Sequence, residues 1–408
     1  MREMFRFLKD LRGNAKATVL TEPLWSVPFN LYAPFFTLYM FYLGVLDFQI
    51  GLLLGLGRLL QMFFALVGGI VTDKFGRRLV TVVGDTVSWS FPVLIWAFSQ
   101  NFWWFLAAAL VNSTWQITAV SWECLWIDEE AENAEKLAKI FNWIYIGGQL
   151  AVFFAPIAGF FVDRYSLVPV MRVLFVITFF SMTAKFIIFY IFTEETETGR
   201  LRMQETKSTS LTHLMLDYKV VFRQIMLSWK MMRALALQAA LGVTIMITST
   251  FFALYATQNL NIPVAFMAYL PIIRAGVMLI FLFFIQSRLS IFKPRHIMIA
   301  GIFTFVAANI FLLSSPAESP GWLVFYTFIE ACAIALLMPR LDTLVANAID
   351  PKERARIRSL FNASILAVTA VFGFASGILS NMDRRLPFVL NIALFGVMFI
   401  TLLAKREK

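Results

Sequence analysis

Four charged residues sit inside runs too apolar to tolerate them without a reason: Glu123, Glu330, Arg58 and Arg274. A charge at membrane depth costs about 2.5 to 3.5 kcal/mol on insertion scales, so each must face a cavity or a partner. The chemistry open to such groups is proton carriage. A buried carboxyl keeps its proton when desolvated and yields it beside an arginine, so alternating between those environments links protonation to conformation. Glu330 lies one turn from Tyr326, with Arg340 further along the same run. Asn112, Gln116, Ala119 and Glu123 fall at i, i+4, i+7 and i+11, one polar stripe on an otherwise apolar helix. The competing account is a static ion pair for the carboxylates, and a structural pair or a snorkelling side chain for the arginines.

Aromatic and hydroxyl-bearing runs supply a candidate contact surface. The first contains Trp25, Pro28, Asn30, Tyr32, Pro34 and Phe36, and the seventh contains Gln238, Thr244, Thr248 and Tyr255. Prolines free backbone carbonyls and let a spanning helix bend. Aromatic faces with a few amides and hydroxyls suit amphipathic or cationic organic molecules. With 44 Phe in the chain, packing or lipid contact competes as the account of any single ring.

The elements that must position these residues are membrane helices. Of 408 residues 60% are hydrophobic and 15% charged, and the mean hydropathy is +0.75, well beyond a soluble domain. At roughly 20 residues per span there is room for about twelve. Apolar runs occupy 19–43, 49–72, 79–98, 103–127, 139–162, 168–193, 233–256, 264–286, 296–314, 321–345, 357–380 and 387–404. The net charge of +10 is spread over alternate ends of these runs, which fixes orientation rather than serving nucleic acid. With both termini cytoplasmic, the outside loops hold only Arg164, Arg172, Arg384 and Arg385. Residues 1–16 lack a signal peptide's apolar centre and read as a cytoplasmic amphipathic lead-in. Cys124 and Cys332 have no metal-site or redox neighbours, and no cofactor is expected.

One long polar interval divides the chain into 1–193, a linker 194–231 and 232–408. Its first part, 194–210, reads as flexible. Its second places Leu211, Leu214, Met215, Tyr218, Val221 and Phe222 on one face, as in a helix lying in the membrane interface; a partner-binding segment is the alternative. The halves echo each other: Phe141-Asn142 and Asp163-Arg164 recur as Phe361-Asn362 and Asp383-Arg384.

Between the second and third runs stands Gly69-Ile70-Val71-Thr72-Asp73-Lys74-Phe75-Gly76-Arg77-Arg78. Gly69 is expected to permit close helix approach and Gly76 a turn closed to bulkier residues, while Lys74, Arg77 and Arg78 hold the turn in the cytoplasm. This spacing resembles the signature loop of the major facilitator superfamily (MFS) of secondary transporters. The resemblance implies an all-α integral membrane protein of twelve transmembrane helices in two pseudo-symmetric six-helix bundles. It implies a central cavity lined by the fourth span, with Arg58 and Arg274 along the contact of the halves. It also implies that Asp128 faces Arg77 or Arg78, and that Asp73 lies near Arg358 at the start of span eleven.

The expected function is that of a monomeric, multi-pass carrier in a cell membrane, here a bacterial cytoplasmic one, moving a small-molecule substrate by alternating access. Proton-coupled efflux of hydrophobic or amphipathic compounds is the leading expectation. Uptake of a sugar, organic acid or peptide is the alternative, and a non-transporting receptor or scaffold the alternative of another class. The drug-antiporter subgroup carries a basic residue in span four, which is missing here. Span five has Ala151-x-x-x-Ala155-Pro156-x-x-Gly159 in place of that subgroup's glycine-rich run.

Overall fold

The computed structural model describes residues 11–130, 133–206, 228–289, 291–348 and 354–404, and their regular structure is helical throughout. In order the α-helices are α1 Gly13–Thr21, α2 Pro23–Tyr32, α3 Phe36–Tyr42, α4 Asp47–Phe75, α5 Arg77–Asp85, α6 Phe91–Phe98, α7 Phe102–Asn112, α8 Trp115–Ile127, α9 Ala134–Ala151, α10 Ala155–Tyr165, α11 Leu167–Phe192 and α12 Glu197–Thr206. Next come α13 Trp229–Gln258, α14 Leu270–Ile280, α15 Gln286–Leu289, α16 Pro294–Leu313, α17 Pro320–Ala348, α18 Arg354–Met382 and α19 Leu386–Leu403.

Ten helical runs among the described residues are long and apolar enough to cross a bilayer. The expected spans 19–43 and 103–127 are helical but broken, each for a local reason. Pro28 has no N–H to give the Leu24 carbonyl, and the Ser181 hydroxyl donates to that carbonyl instead at 2.7 Å. Pro34 then sits in a 3-10 turn, Ala33–Phe35. Between α7 and α8 the hydroxyls of Ser113 and Thr114 turn back onto the carbonyls of Ala109 and Val111, each at 2.7 Å, local bonds that compete with the helix ladder.

The chain forms two compact units. The first is Met1–Tyr32, Leu60–Phe154 and Met171–Asp217; the second is Ala33–Leu59, Ala155–Val170 and Tyr218–Lys408. It passes from the first unit to the second at the 3-10 turns Ala33–Phe35 and Val152–Phe154, and returns to the first at Leu60 and Met171. In the first unit Leu11 and Ala15 bury against Trp126 and Ile140. In the second, Leu237, Leu337 and Met398 pack around Phe305, which stacks on Phe395 at 4.2 Å. Lipid tails are as apolar as leucine, so such close packing, rather than escape from water, is what holds spanning helices together.

One expectation for the polar segments changes. Residues 197–206 are helical rather than a free linker, and the Thr206 hydroxyl docks them on the charged loop by donating to the Asp73 carbonyl. Around Asn14 the chain is amphipathic, with Leu11, Asn14 and Ala15 buried and Arg12 and Lys16 exposed. Asn14 is 1% exposed; its N–H donates to Glu129 at 3.0 Å, and its amide donates to the carbonyls of Leu125 and Glu194 at 3.2 and 2.9 Å. The N–H of Glu194 returns a bond to Asn14 Oδ1 at 2.9 Å. The interfacial helix expected over 211–229 and the terminus 1–10 lie outside the described residues, save Trp229 at the start of α13.

Candidate functional site

The charged loop is built by one backbone conformation. Gly76 has φ +86°, in the region that strains any residue with a Cβ, and it separates α4 from α5. A side chain there would also meet Glu195 Oε2 at 2.7 Å. The close approach expected at Gly69 belongs instead to Gly68. A Cβ at Gly69 meets nothing within 4 Å, whereas one at Gly68 lands 3.1 Å from the Ile117 backbone. One residue turns a helix by about 100°, enough to move a position off the contact face.

Beyond the turn, Arg77 Nε lies 2.5 Å from Asp128 Oδ2. The guanidinium is not aligned for a hydrogen bond from Nε, so charge holds the pair. The Thr196 hydroxyl donates to the same carboxylate oxygen at 3.0 Å. Arg78 points elsewhere: its N–H donates to Glu195 Oε2 at 2.9 Å, its Nη2 to the Tyr190 carbonyl at 2.6 Å, and its guanidinium sits 4.1 Å over the Tyr190 ring. Half-buried Asp73 and Lys74 close α4. The Asp73 carbonyl accepts from Thr206 at 3.1 Å, and Arg202 and Arg77 are the positive charges acting on its carboxylate. The side chain of Arg358 lies outside the described residues. The loop is thus covered by residues 195–206, and Glu195→Ala should loosen that cover. A charge-assisted hydrogen bond contributes about 1.5 to 3 kcal/mol, so amide exchange at Arg78 is expected to accelerate roughly ten- to a hundredfold; unchanged exchange removes Glu195 from the account.

The intramembrane charges of the second unit are brought together. Arg274 on α14 donates to Glu330 on α17 at 2.5 Å, with Glu330 1% exposed. Tyr326, fully buried one turn away, lies against Phe252 at 5.2 Å, with the Thr248 hydroxyl beside it. Arg274 is therefore answered inside its own unit. Gln238 binds Asp342 at 3.2 Å and Arg340 binds Gln286 at 2.8 Å. Arg58 and Phe36 are half-buried members of the same unit.

In the first unit the predicted Trp25 forms a right-angled corner with Phe29 and Trp89, two rings the sequence reading did not single out. Trp25 stacks on Phe29 at 4.9 Å, and Trp89 stands at 88° to Trp25 with centroids 5.0 Å apart. Tyr32 continues the wall to Phe175 at 5.2 Å and Trp96 at 6.1 Å. Asn30 donates its amide to the Ser26 carbonyl at 2.7 Å. Asn112 donates to the Ser88 carbonyl at 2.8 Å, inside the π-turn Thr86–Ser90 that joins α5 to α6. Gln116 is buried, and Glu123, on the same helix, is half-buried.

Beside this corner lies a cluster that sequence reasoning missed. Lys185 on α11, 5% exposed, donates to Glu22 at 2.9 Å and stands 5.8 Å from the Trp25 ring. Asp85 is 9% exposed, with Lys185 and Glu22 as charges acting on it, while the Thr118 hydroxyl donates to the Trp115 carbonyl at 2.9 Å. The signal was present. Asp85 is the lone charge in the run 79–98, and Lys185 lies deep in the run 168–193, whose other charge, Arg172, stands near its start; the insertion cost that singles out Arg58 and Arg274 applies to both equally.

The MFS_1 like family profile matches residues 29–389. Among solved structures the chain superposes on the nucleoside transporter NupG with TM-score 0.75 at 16% identity, covering 96% of this chain and 100% of that one. It superposes on a POT family transporter in complex with 5-aminolevulinic acid with TM-score 0.72 at 12% identity, covering 95% and 94%. On the human organic anion transporter MFSD10 (TETRAN) the TM-score is 0.66 at 14% identity, covering 95% and 98%. At these identities the likeness is one of fold. No curated protein matches the chain in sequence.

Proposed function

The chain belongs to the MFS_1 like family, transporters of the major facilitator type embedded in the membrane, and from that premise we propose that it is a secondary carrier moving a small organic solute by alternating access, with protons as the coupling ion. The observation that carries the coupling is the pair formed by Glu330 and Arg274, a carboxylate in the interior of one spanning helix held by an arginine of another. Static pairs of this kind are expensive in a membrane, which favours a group whose charge changes during work. The broken runs α2 to α3 and α7 to α8 complete a set of twelve spans in this reading, and the charged loop faces the cytoplasm with both termini. The carrier acts as a monomer.

Efflux and uptake both fit this arrangement. The solved structures resembling the chain include nucleoside and peptide carriers, which favours keeping uptake beside export. The test is flux in proteoliposomes holding the purified chain, using a nucleoside, a dipeptide, an organic anion and a lipophilic cation, with and without an imposed pH gradient. At least one solute is expected to accumulate against its gradient and to stop when a protonophore is added. Movement indifferent to the pH gradient refutes proton coupling. Binding without flux for any bound solute supports a receptor instead.

A further inference from the structure

We propose that the cavity between the start of α4, the end of α13 and the turn from α18 to α19 is a binding site for a small zwitterion with an apolar body, of which an apolar α-amino acid is the simplest form. This names a solute class for the carrier and so rests on the reading above.

The cavity has a volume of about 400 Å³, within the range of small-molecule sites. All of its lining belongs to the second unit, and it lies at the end of the 29-residue helix α4 away from the charged loop. Its floor is buried and fully bonded. Asp47 and Ser380 are 4% and 3% exposed. The Ser380 hydroxyl and the Arg384 guanidinium donate to the two oxygens of the Asp47 carboxylate at 2.7 to 3.2 Å, and the same guanidinium lies 5.0 Å over the Phe41 ring. One turn along α4 the Gly51 and Gly377 backbones stand too close to admit a Cβ on either, so the two helices that carry the floor are fixed against each other. Asp47 and Arg384 thus neutralise one another and supply shape.

The groups left for recognition are at the mouth. Asp383 and Arg385 line the cavity, are exposed, and form no ion pair among the described residues. The Asp383 carboxylate is instead held on the backbone, where one of its oxygens accepts the Arg385 N–H at 2.8 Å, the local bond by which an aspartate shapes a turn. The carboxamides of Asn259 and Asn381 stand on the same rim without a hydrogen-bond partner among the described residues, and each offers both donors and an acceptor.

The charges bounding the cavity, Asp47, Asp383, Arg384 and Arg385, sum to zero. A lone anion or cation therefore leaves one of the two free charges unmatched and adds its own. A zwitterion meets both, its carboxylate on the planar fork of Arg385 and its ammonium on the free oxygen of Asp383. Two residues separate these partners, so their Cα atoms are at most about 7 Å apart, which suits opposite charges carried close together rather than at the ends of a long chain. Phe41, Leu46 and Met382 supply the apolar part of the wall, against which the body of the solute packs.

The test is calorimetry on the purified full chain with three probes that share a phenyl body: L-phenylalanine, 3-phenylpropanoate, which lacks the ammonium, and 2-phenylethylammonium, which lacks the carboxylate. L-phenylalanine should bind at least tenfold more tightly than either. In Arg385→Gln its advantage over 2-phenylethylammonium should disappear, and in Asp383→Asn its advantage over 3-phenylpropanoate. Each ratio is read within one preparation, so a general loss of folded protein does not imitate it. Equal or tighter binding of either singly charged probe by the native chain, no binding of L-phenylalanine, or a ratio unchanged in either variant overturns the proposal. Proton-driven flux of other solutes alongside that negative result leaves the carrier reading standing; L-phenylalanine binding with the expected ratios but no flux of any solute overturns the carrier reading alone.

Discussion

Glu330→Ala should be the most damaging single change in the second unit, lowering the unfolding free energy by about 3 kcal/mol and abolishing gradient-driven accumulation. Removing one member of a buried pair strands the other, which costs about 3 to 5 kcal/mol. Glu330→Gln keeps a hydrogen-bond acceptor without the charge, so it should retain most of the stability while losing coupling. Replacing both residues by apolar ones of similar size, Arg274→Met with Glu330→Leu, should restore stability nearly to that of the native chain, since a buried pair often costs as much as it returns. The measurements are denaturant unfolding of the purified protein and accumulation in proteoliposomes under a pH gradient. If the double variant still accumulates solute against its gradient, the pair is architectural and the proton is carried elsewhere.

Gly51→Ala is expected to disable the carrier without touching any charge. A Cβ at Gly51 would fall 2.4 Å from the Gly377 Cα and 2.8 Å from the Gly373 carbonyl oxygen. Both are backbone atoms and neither can rotate aside, so α4 and α18 must separate there. The contact lies one turn from Asp47, which accepts from Arg384 at 2.9 and 3.2 Å and from Ser380 at 2.7 Å. Parting the helices strains those bonds as well. Overpacking of this kind costs about 1 to 3 kcal/mol, concentrated in one contact, and flux should fall at least tenfold. Oxidative cross-linking of Asp47→Cys with Ser380→Cys reads the separation directly and should drop when Gly51→Ala is added. Gly69→Ala serves as the control, because a Cβ there meets nothing. Undiminished cross-linking and flux in Gly51→Ala rule out close helix contact at this point as a working part.

The sequence was most informative where residue type alone dictates environment. The loop could be read because glycine and a cluster of cations between apolar runs have few uses; Gly76 makes the turn at positive φ, and Arg77 lies against Asp128, the acidic partner that the family resemblance implies. Arg274 and Glu330 could be picked out singly because each charge in an apolar run needs a partner, although their pairing depends on how α14 and α17 face each other. Legibility failed where rotation or distance decides. Gly68 and Gly69 are chemically identical, and only the helix phase shows which one meets Ile117. Glu195 and Thr196 looked like solvated linker because their partners, Arg78 and Asp128, are 117 and 68 residues away. Lys185 is illegible for another reason: a basic residue buried midway along a span belongs to neither side of the membrane, so orientation explains nothing about it.

Asn14 carries a consequence for how the protein is made. Its amide and carbonyl join the start of the chain to Glu194, 180 residues later. At about 5 to 20 residues per second, synthesis reaches Glu194 roughly 9 to 36 s after Asn14 has been added. Until then the Asn14 side chain lacks that partner, and the bond can close only when the sixth apolar run has left the ribosome. The packing around Asn14 is therefore completed late, only after the sixth apolar run of the first unit has been made.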